Sequence, residues 1–299
     1  MKAFYTDHFV LPLPPGHRFP MEKYSSLRDL VAGEPGLELI EAPAASDTQI
    51  LYAHDPLYLI KIIEGKLSSS EQREIGFPWS AKMVERSRRS AGATVAACKT
   101  ALTGGIAINL AGGTHHAYRD SGSGLCVFND SAIAARTLQK EIDPKLKIAI
   151  IDLDVHQGNG TASILQNDST IFTLSIHGEN NFPFKKEVSD LDLGLPDGCN
   201  DSNYLKALAE CLDQLDSRFE PDCIIYLAGA DPHEDDRLGR LNISSAGMKL
   251  RDETVLQFAL DRKLPVAISM AGGYGKEIES TVNIHFQTIK TALQFQKRY

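Results

Sequence analysis

Asp152, Asp154 and His156 stand at alternate positions in "IAIIDLDVHQGNG", directly after the apolar run Ile148 to Ile151. In an extended chain alternate side chains share a face. Two carboxylates side by side in an interior repel each other and lose hydration, an arrangement that needs a compensating charge. A metal ion is one such charge. Asp154 and His156 can both reach a single ion, and Asp231 in "LAGAD" can supply a third ligand. One imidazole and two carboxylates with an open position suit zinc in a catalytic role, where water completes the coordination. A hydrogen-bonded structural network of the same residues is the competing reading.

Other residues could act on a metal-bound water. His115 and His116 lie in the glycine-flanked "GGTHHAYRD", and imidazole titrates nearest neutral pH, so the pair fits proton transfer. Asp152 could orient one imidazole from behind. Tyr274 in "MAGGYG" follows a turn loosened by Gly272 and Gly273. Such a tyrosine is either packing or a phenol donor for an oxyanion. The same glycines form no GxGxxG and no P-loop lysine pattern, so a phosphate cradle is set aside.

The elements that must position these residues follow from the pattern. From about residue 79, helical spacing alternates with short, uniformly apolar runs. Helices are expected over 82–105, 128–143, 160–168, 201–219 and 244–263, and strands over 106–113, 147–152, 170–178, 222–231 and 265–275. This alternation is the signature of a parallel sheet covered by helices on both faces. His115, His116, Asp152, Asp154, His156, His177, Asp231 and Tyr274 all fall at or just beyond the carboxyl ends of those strands. Open α/β sheets bind ligands at that edge. Residues 12–20, rich in proline, read as an irregular surface segment.

With 299 residues and 42% hydrophobic content the chain can bury a substantial core. A net charge of −8 without a Lys/Arg block argues against nucleic acid as a partner. No apolar run approaches a membrane span, and the N-terminal apolar stretch is too short and proline-broken for a signal peptide. Five cysteines, Cys98, Cys126, Cys199, Cys211 and Cys223, form no CxxC pair. They read as core fillers in a reducing, cytoplasmic setting.

Taken together, "GGTHHAYRDSGSGLCVFND", "IDLDVHQGNGT", "LSIHGENNFPF", "LAGADPHEDDRLGRL" and "MAGGYG" resemble the zinc-dependent histone deacetylase family, including its bacterial members. "GHRFPMEKYSSL" and "AHDPLYL" look like that family's N-terminal region. The likeness runs from about residue 15 to residue 290. It implies one catalytic domain over 1–299, an arginase/deacetylase-like three-layer α/β/α sandwich with a mostly parallel central sheet, and hydrolysis of an acyl amide. Carried over motif by motif, Asp154, His156 and Asp231 match the ligands of one zinc ion. His115 and His116 match the tandem histidines, and Tyr274 matches the oxyanion-stabilising tyrosine. Asp152 matches the carboxylate partner of the first histidine, and Asn159 is expected to orient His116. A structural potassium ion is implied, held by Asp152, Ser175 and main-chain oxygens of Asp154, His156 and Ile176. The implied substrate is an acetylated lysine of a protein, or a small acetylated amine.

Two positions depart from the pattern. Where the family often has an aromatic residue in a "GFC" wall of the acyl-lysine tunnel, this chain has Gly124-Leu125-Cys126, leaving Phe182 to supply the other wall. Asn159 stands where many members have Asp. Two rival readings remain: a ureohydrolase of the same fold with two manganese ions, and a catalytically inactive metal-binding interaction module. The first needs a DxHxD motif, and Gly158 occupies its last position.

Overall fold

The computed structural model describes all 299 residues, built around one eight-stranded, all-parallel sheet. Its strands are β1 (Lys2–Tyr5), β2 (Glu38–Glu41), β3 (Ile106–Asn109), β4 (Ile148–Asp152), β5 (Ile171–Gly178), β6 (Leu191–Leu195), β7 (Cys223–Leu227) and β8 (Val266–Ser269). They lie in the order β2-β1-β3-β8-β7-β4-β5-β6. Ten helices surround them: α1 (Glu22–Val31), α2 (Asp47–Leu51), α3 (Pro56–Glu64), α4 (Ser69–Ile75), α5 (Ala81–Gly104), α6 (Asp130–Glu141), α7 (Asn159–Leu165), α8 (Asp201–Arg218), α9 (Ser245–Asp261) and α10 (Ile278–Gln296).

Each central strand feeds two apolar layers by simple alternation. Ala149, Ile151, Ile224, Tyr226, Val266 and Ile268 pack on one side with α1, α8, α9 and α10. Ile148, Ile150, Cys223, Ile225, Leu227 and Ala267 pack on the other with α2, α3, α5 and α6. Burial on both faces explains why these strands read as continuous apolar runs rather than as alternating patterns. Side-chain caps fix where the covering helices start: Ser80 accepts from Met83 N, Asn129 from Ala132 N, Asn200 from Asn203 N and Ser244 from Gly247 N. All five cysteines are buried and unpaired. No helix is long and apolar enough to cross a membrane.

Three strands escape the sequence pattern. β1 and β2 are four residues long, β6 is five, and β2 and β6 are the partly exposed sheet edges. The proline-rich segment 12–20 forms no helix or strand and stays at the surface. Arg18 and Phe19 on it, and buried Leu11 just before it, line the main cavity.

Strand order places the functional edge. The chain leaves β3, crosses to β4, continues outward to β5 and β6, then returns to insert β7 and β8 between β3 and β4. The loops after β3, β8, β7 and β4 are therefore neighbours at one carboxyl-terminal edge, where the sheet's winding reverses.

Candidate metal and catalytic site

Asp154 and His156 do not lie on a strand. β4 ends at Asp152, and the chain then bends. Their convergence comes from that bend rather than from strand alternation. Asp152 Oδ1 accepts the Asp154 N–H at 3.1 Å, and Asp154 Oδ1 accepts the His156 N–H at 3.0 Å. These two short-range bonds replace the ladder with a side-chain-braced turn. Asp231, on the turn after β7, approaches from the neighbouring strand, and its Oδ1 accepts the Val155 N–H at 2.9 Å.

One ligand atom from each of Asp154, His156 and Asp231 lies within 4.8 Å of the others, and all three residues are buried. His156 Nδ1 is 3.0 Å from Asp154 Oδ1 and 3.3 Å from Asp231 Oδ2. Asp231 Oδ2 nevertheless has no hydrogen-bond partner of good geometry. A buried carboxylate oxygen left in that state is costly without a cation. The surroundings are shaped to leave room beside it. A Cβ on Gly272 would sit 2.0 Å from that oxygen, and one on Gly229 would sit 2.8 Å from both Asp154 Oδ2 and Asp231 Oδ1. Burial and the Asp154 charge push the Asp231 carboxyl up to about 7. Burial alone would lower His156, but the Asp154 and Asp231 carboxylates beside it outweigh that and hold the imidazole up to about 10. One nitrogen and two carboxylates thus lie close enough together to hold a metal ion between them.

The tandem histidines arrive on the turn after β3. Gly112 and Gly113 take φ of 79° and 71°, a region costly for other residues. Asp130, at the start of α6, accepts the N–H groups of Gly113 and Thr114 at 2.9 and 2.8 Å and the Thr114 hydroxyl at 2.9 Å. The Asn129 amide donates to Ala117 O at 3.1 Å and to Thr161 Oγ1 at 3.1 Å. Behind it, buried His54 accepts the Asn129 N–H at Nε2, 2.9 Å away.

Different partners give the two imidazoles different characters. His115 Nδ1 is 2.6 Å from Asp152 Oδ2. Burial opposes a charge there, but Asp152 and Asp154 outweigh it, raising His115 to about 9. His116 Nδ1 is 2.6 Å from Asn159 Oδ1, and the Asn159 amide donates to Tyr118 Oη at 2.8 Å. Burial, reinforced by the neighbouring His115 and His156, holds His116 well below the ordinary histidine range. One histidine therefore favours carrying a proton and the other favours a free lone pair, a division suited to acid–base chemistry.

Tyr274 sits on the turn after β8. Its N–H donates to Asp236 Oδ2 at 2.6 Å, and its carbonyl accepts from the Arg237 N–H at 3.1 Å. Lys23, buried in α1, donates to Ala271 O at 3.2 Å and Gly273 O at 3.4 Å. Burial raises the Tyr274 phenol well above its ordinary value, so it remains a hydrogen-bond donor.

These groups face one cavity of about 460 Å³, lined by His115, His116, Asp154, His156, Asp231 and Tyr274 together with Gly124, Leu125 and Phe182. Phe182 stands edge-on to His116, with ring centroids 4.9 Å apart at 85°. Gly124 makes this possible, because a Cβ there would meet His116 at 2.7 Å and Phe182 at 2.9 Å. Leu125 adopts φ of 68° and is only 8% exposed, so most of it packs into the core. Asp152, Asn159, Ser175 and Ile176 lie outside the cavity wall. Asp152 and Ser175 are paired across β4 and β5, and the Ser175 hydroxyl is 3.0 Å from His177 Nδ1. His177 does not line the cavity. Sequence reasoning overlooked Lys23, His54 and the turn-holding role of Asp130. The "FND" that opens α6 was legible only as a helix start.

Comparison with known proteins places residues 17–289 in the histone deacetylase domain family. An uncharacterized protein of Picosynechococcus sp. is 45% identical over 285 residues, covering 94% of each chain. Histone deacetylase 2 of Arabidopsis thaliana is 30% identical over 275 residues, covering 87% of this chain and 70% of its own. The acetoin utilization protein AcuC of Bacillus subtilis is 30% identical over 241 residues, covering 73% of this chain and 62% of its own. Among solved structures, an HDAC homolog complexed with SAHA superposes with a TM-score of 0.83 at 25% identity, covering 98% of this chain and 83% of that one.

Proposed function

The chain belongs to the histone deacetylase family, and on that premise we propose that it is a zinc-dependent amide hydrolase that removes an acetyl or other acyl group from an amine. Deacetylase-type hydrolysis follows from the family. The zinc, the residue roles and the substrate are our reading. The observation that carries it is the unpartnered Asp231 Oδ2 beside Asp154 and His156, facing the cavity that His115, His116 and Tyr274 also face. The reacting unit is one catalytic domain over residues 1–299.

Asp154, His156 and Asp231 would hold the zinc ion. Bound there, zinc supplies Lewis acidity toward the acyl carbonyl and lowers the pKa of its water. His116, neutral and held through Nδ1 by Asn159, takes a proton from the attacking water and returns it to the leaving amine. His115, paired with Asp152, keeps a positive charge beside the developing negative charge. Tyr274 donates its phenol proton to the oxyanion that forms on the substrate carbonyl. Phe182, Gly124 and Leu125 line the space for the chain that carries the amide. The products are a carboxylate, acetate in the simplest case, and a free amine. Asp152, Ser175 and main-chain oxygens of Asp154, His156 and Ile176 are the proposed holders of a structural potassium ion. The proposed substrate is a protein acyl-lysine or a small acetylated amine in a cytoplasmic setting.

A hydrolysis screen of zinc-loaded protein against acyl-lysine peptides and acetylated polyamines, with metal counted per chain, tests this reading. Turnover with one zinc ion, abolished together with zinc in Asp154→Ala or His156→Ala, is the expected result. Two metal ions per chain would favour the ureohydrolase reading. Stoichiometric zinc without turnover on any member would favour an interaction module.

A further inference from the structure

Arg251, on α9, is fully buried, and nothing in the proposed chemistry uses it. A guanidinium has no low-cost neutral form, so a buried one needs partners for its donors. Its Nε donates to Asp252 Oδ1 at 2.9 Å, and Nη2 lies 2.8 Å from the same oxygen. Asp252 is itself fastened by the Tyr226 hydroxyl from β7 and by Thr288 from α10, each at 2.6 Å. The remaining arm reaches toward the site: Nη1 donates to Gly229 O at 2.5 Å.

That carbonyl belongs to the peptide unit between Gly229 and Ala230, immediately before Asp231. The other end of the same unit is also held, because the Ala230 N–H donates to Gly272 O at 2.8 Å. Gly272 in turn donates its N–H to Asp154 Oδ2 at 2.9 Å. One peptide plane therefore links the turn of Asp231, the turn that carries Tyr274, and the Asp154 carboxylate. Two of its neighbours admit no side chain, as the close approaches at Gly229 and Gly272 require.

We propose that Arg251 is a positioning residue for the metal site: it fixes the Gly229–Ala230 peptide plane and thereby the spacing of the Asp231 and Asp154 carboxylates. The inference rests on the metal assignment above for its energetic readout, but its geometric part stands on the metal-free chain. Loss of a group that holds a ligand from behind commonly weakens metal binding about 10- to 100-fold.

Zinc affinity by chelator competition, and hydrogen exchange of the Ala230 amide in the metal-free protein, are to be measured for wild type, Arg251→Met and Thr288→Val. Thr288→Val is the control for a purely structural role, since it loosens the same Asp252 without touching Gly229. Arg251→Met is expected to weaken zinc about 10- to 100-fold and to speed exchange at Ala230. Thr288→Val is expected to lower Tm with both readouts near wild type. Should Arg251→Met fail to fold, Arg251→Lys keeps the charge but loses the planar fork, and faster Ala230 exchange is expected there too. Unchanged exchange and zinc affinity in a folded Arg251 variant would overturn the proposal, as would equal losses in Thr288→Val. Failure of the wild type to bind zinc would instead overturn the metal assignment, leaving the Ala230 exchange to decide the role of Arg251.

Discussion

In the proposed mechanism the Tyr274 phenol is a donor that matters most when charge develops on the substrate oxygen. Tyr274→Phe should keep the fold and the metal but lower kcat about 100- to 1,000-fold with little change in KM. Steady-state kinetics on an acetyl-lysine peptide checks this, and a change confined to KM would make Tyr274 a binding residue. Asn159 gives a second residue-level prediction. As the proposed base, His116 would act only while neutral, so activity is expected to fall as pH drops through its pKa. That pKa is held low by burial, then by His115 and His156, while Asn159 supports the charged form only through a neutral hydrogen bond. Asn159→Asp places a carboxylate there, raises the pKa and should move the acidic limb of the kcat/KM profile to higher pH. A limb that stays in place in an active variant would dissociate Asn159 from His116.

At the level of elements, the turn after β3 depends on the first residue of α6. Both oxygens of Asp130 accept hydrogen bonds, Oδ2 from the Gly113 N–H and the Thr94 hydroxyl, and Oδ1 from the Thr114 N–H and hydroxyl. Asp130→Asn turns one acceptor oxygen into an amide NH2 that faces another donor. A buried group left so mismatched costs about 1–3 kcal/mol. The expected result is a lower Tm together with a lower kcat, because the displaced turn carries both histidines. A lower Tm with kcat intact would separate the turn from the chemistry. The central βα units are legible in the sequence because each carries a signal of its own: a doubly buried apolar strand, a capped helix and a polar residue at the strand end. β1, β2 and β6 gave no such signal, since four or five residues, two of the strands at half-buried edges, carry no period of their own. Asp154 and His156 were legible as a pair, yet the bend that joins them was not, because it is made by their own side chains bonding to nearby N–H groups. Arg251 lies on a helix whose buried face mixes arginine, aspartate and valine. It pairs with the adjacent Asp252 and with Gly229 O, earlier in the chain, while Asp252 is held by groups on β7 and α10, and no local spacing announces the link to Gly229.

For the molecule as a whole, acid is the revealing stress. Burial depresses His54 to about 4, and its Nε2 accepts a backbone N–H that protonation would displace. Between its unfolded value near 6.5 and about 4, the unfolded chain takes up a proton that the folded chain refuses, so this histidine's contribution falls as pH drops through that window. His115, raised to about 9, acts in the opposite sense near the top of that window, but it is present in both proteins compared below and cancels from their difference. His54→Gln should therefore be less stable than wild type at pH 7.5, with the gap narrowing toward pH 4.5. Denaturant titrations across that range check it, and a gap that stays constant would mean His54 does not carry a depressed pKa. Strand order has a further consequence, for the chain as it is synthesised. β3 leaves the ribosome early, but its neighbour β8 ends at Ser269. At about 5–20 residues per second, that gap lasts roughly 8–30 seconds. During it β3 presents an apolar edge with no neighbour, and β4 does so until β7 is complete at Leu227, the condition in which strands pair wrongly with other chains. The nascent chain is therefore most in need of a chaperone between the emergence of β3 and that of β8, and a message truncated before β8 yields a product without the turn that bears Tyr274.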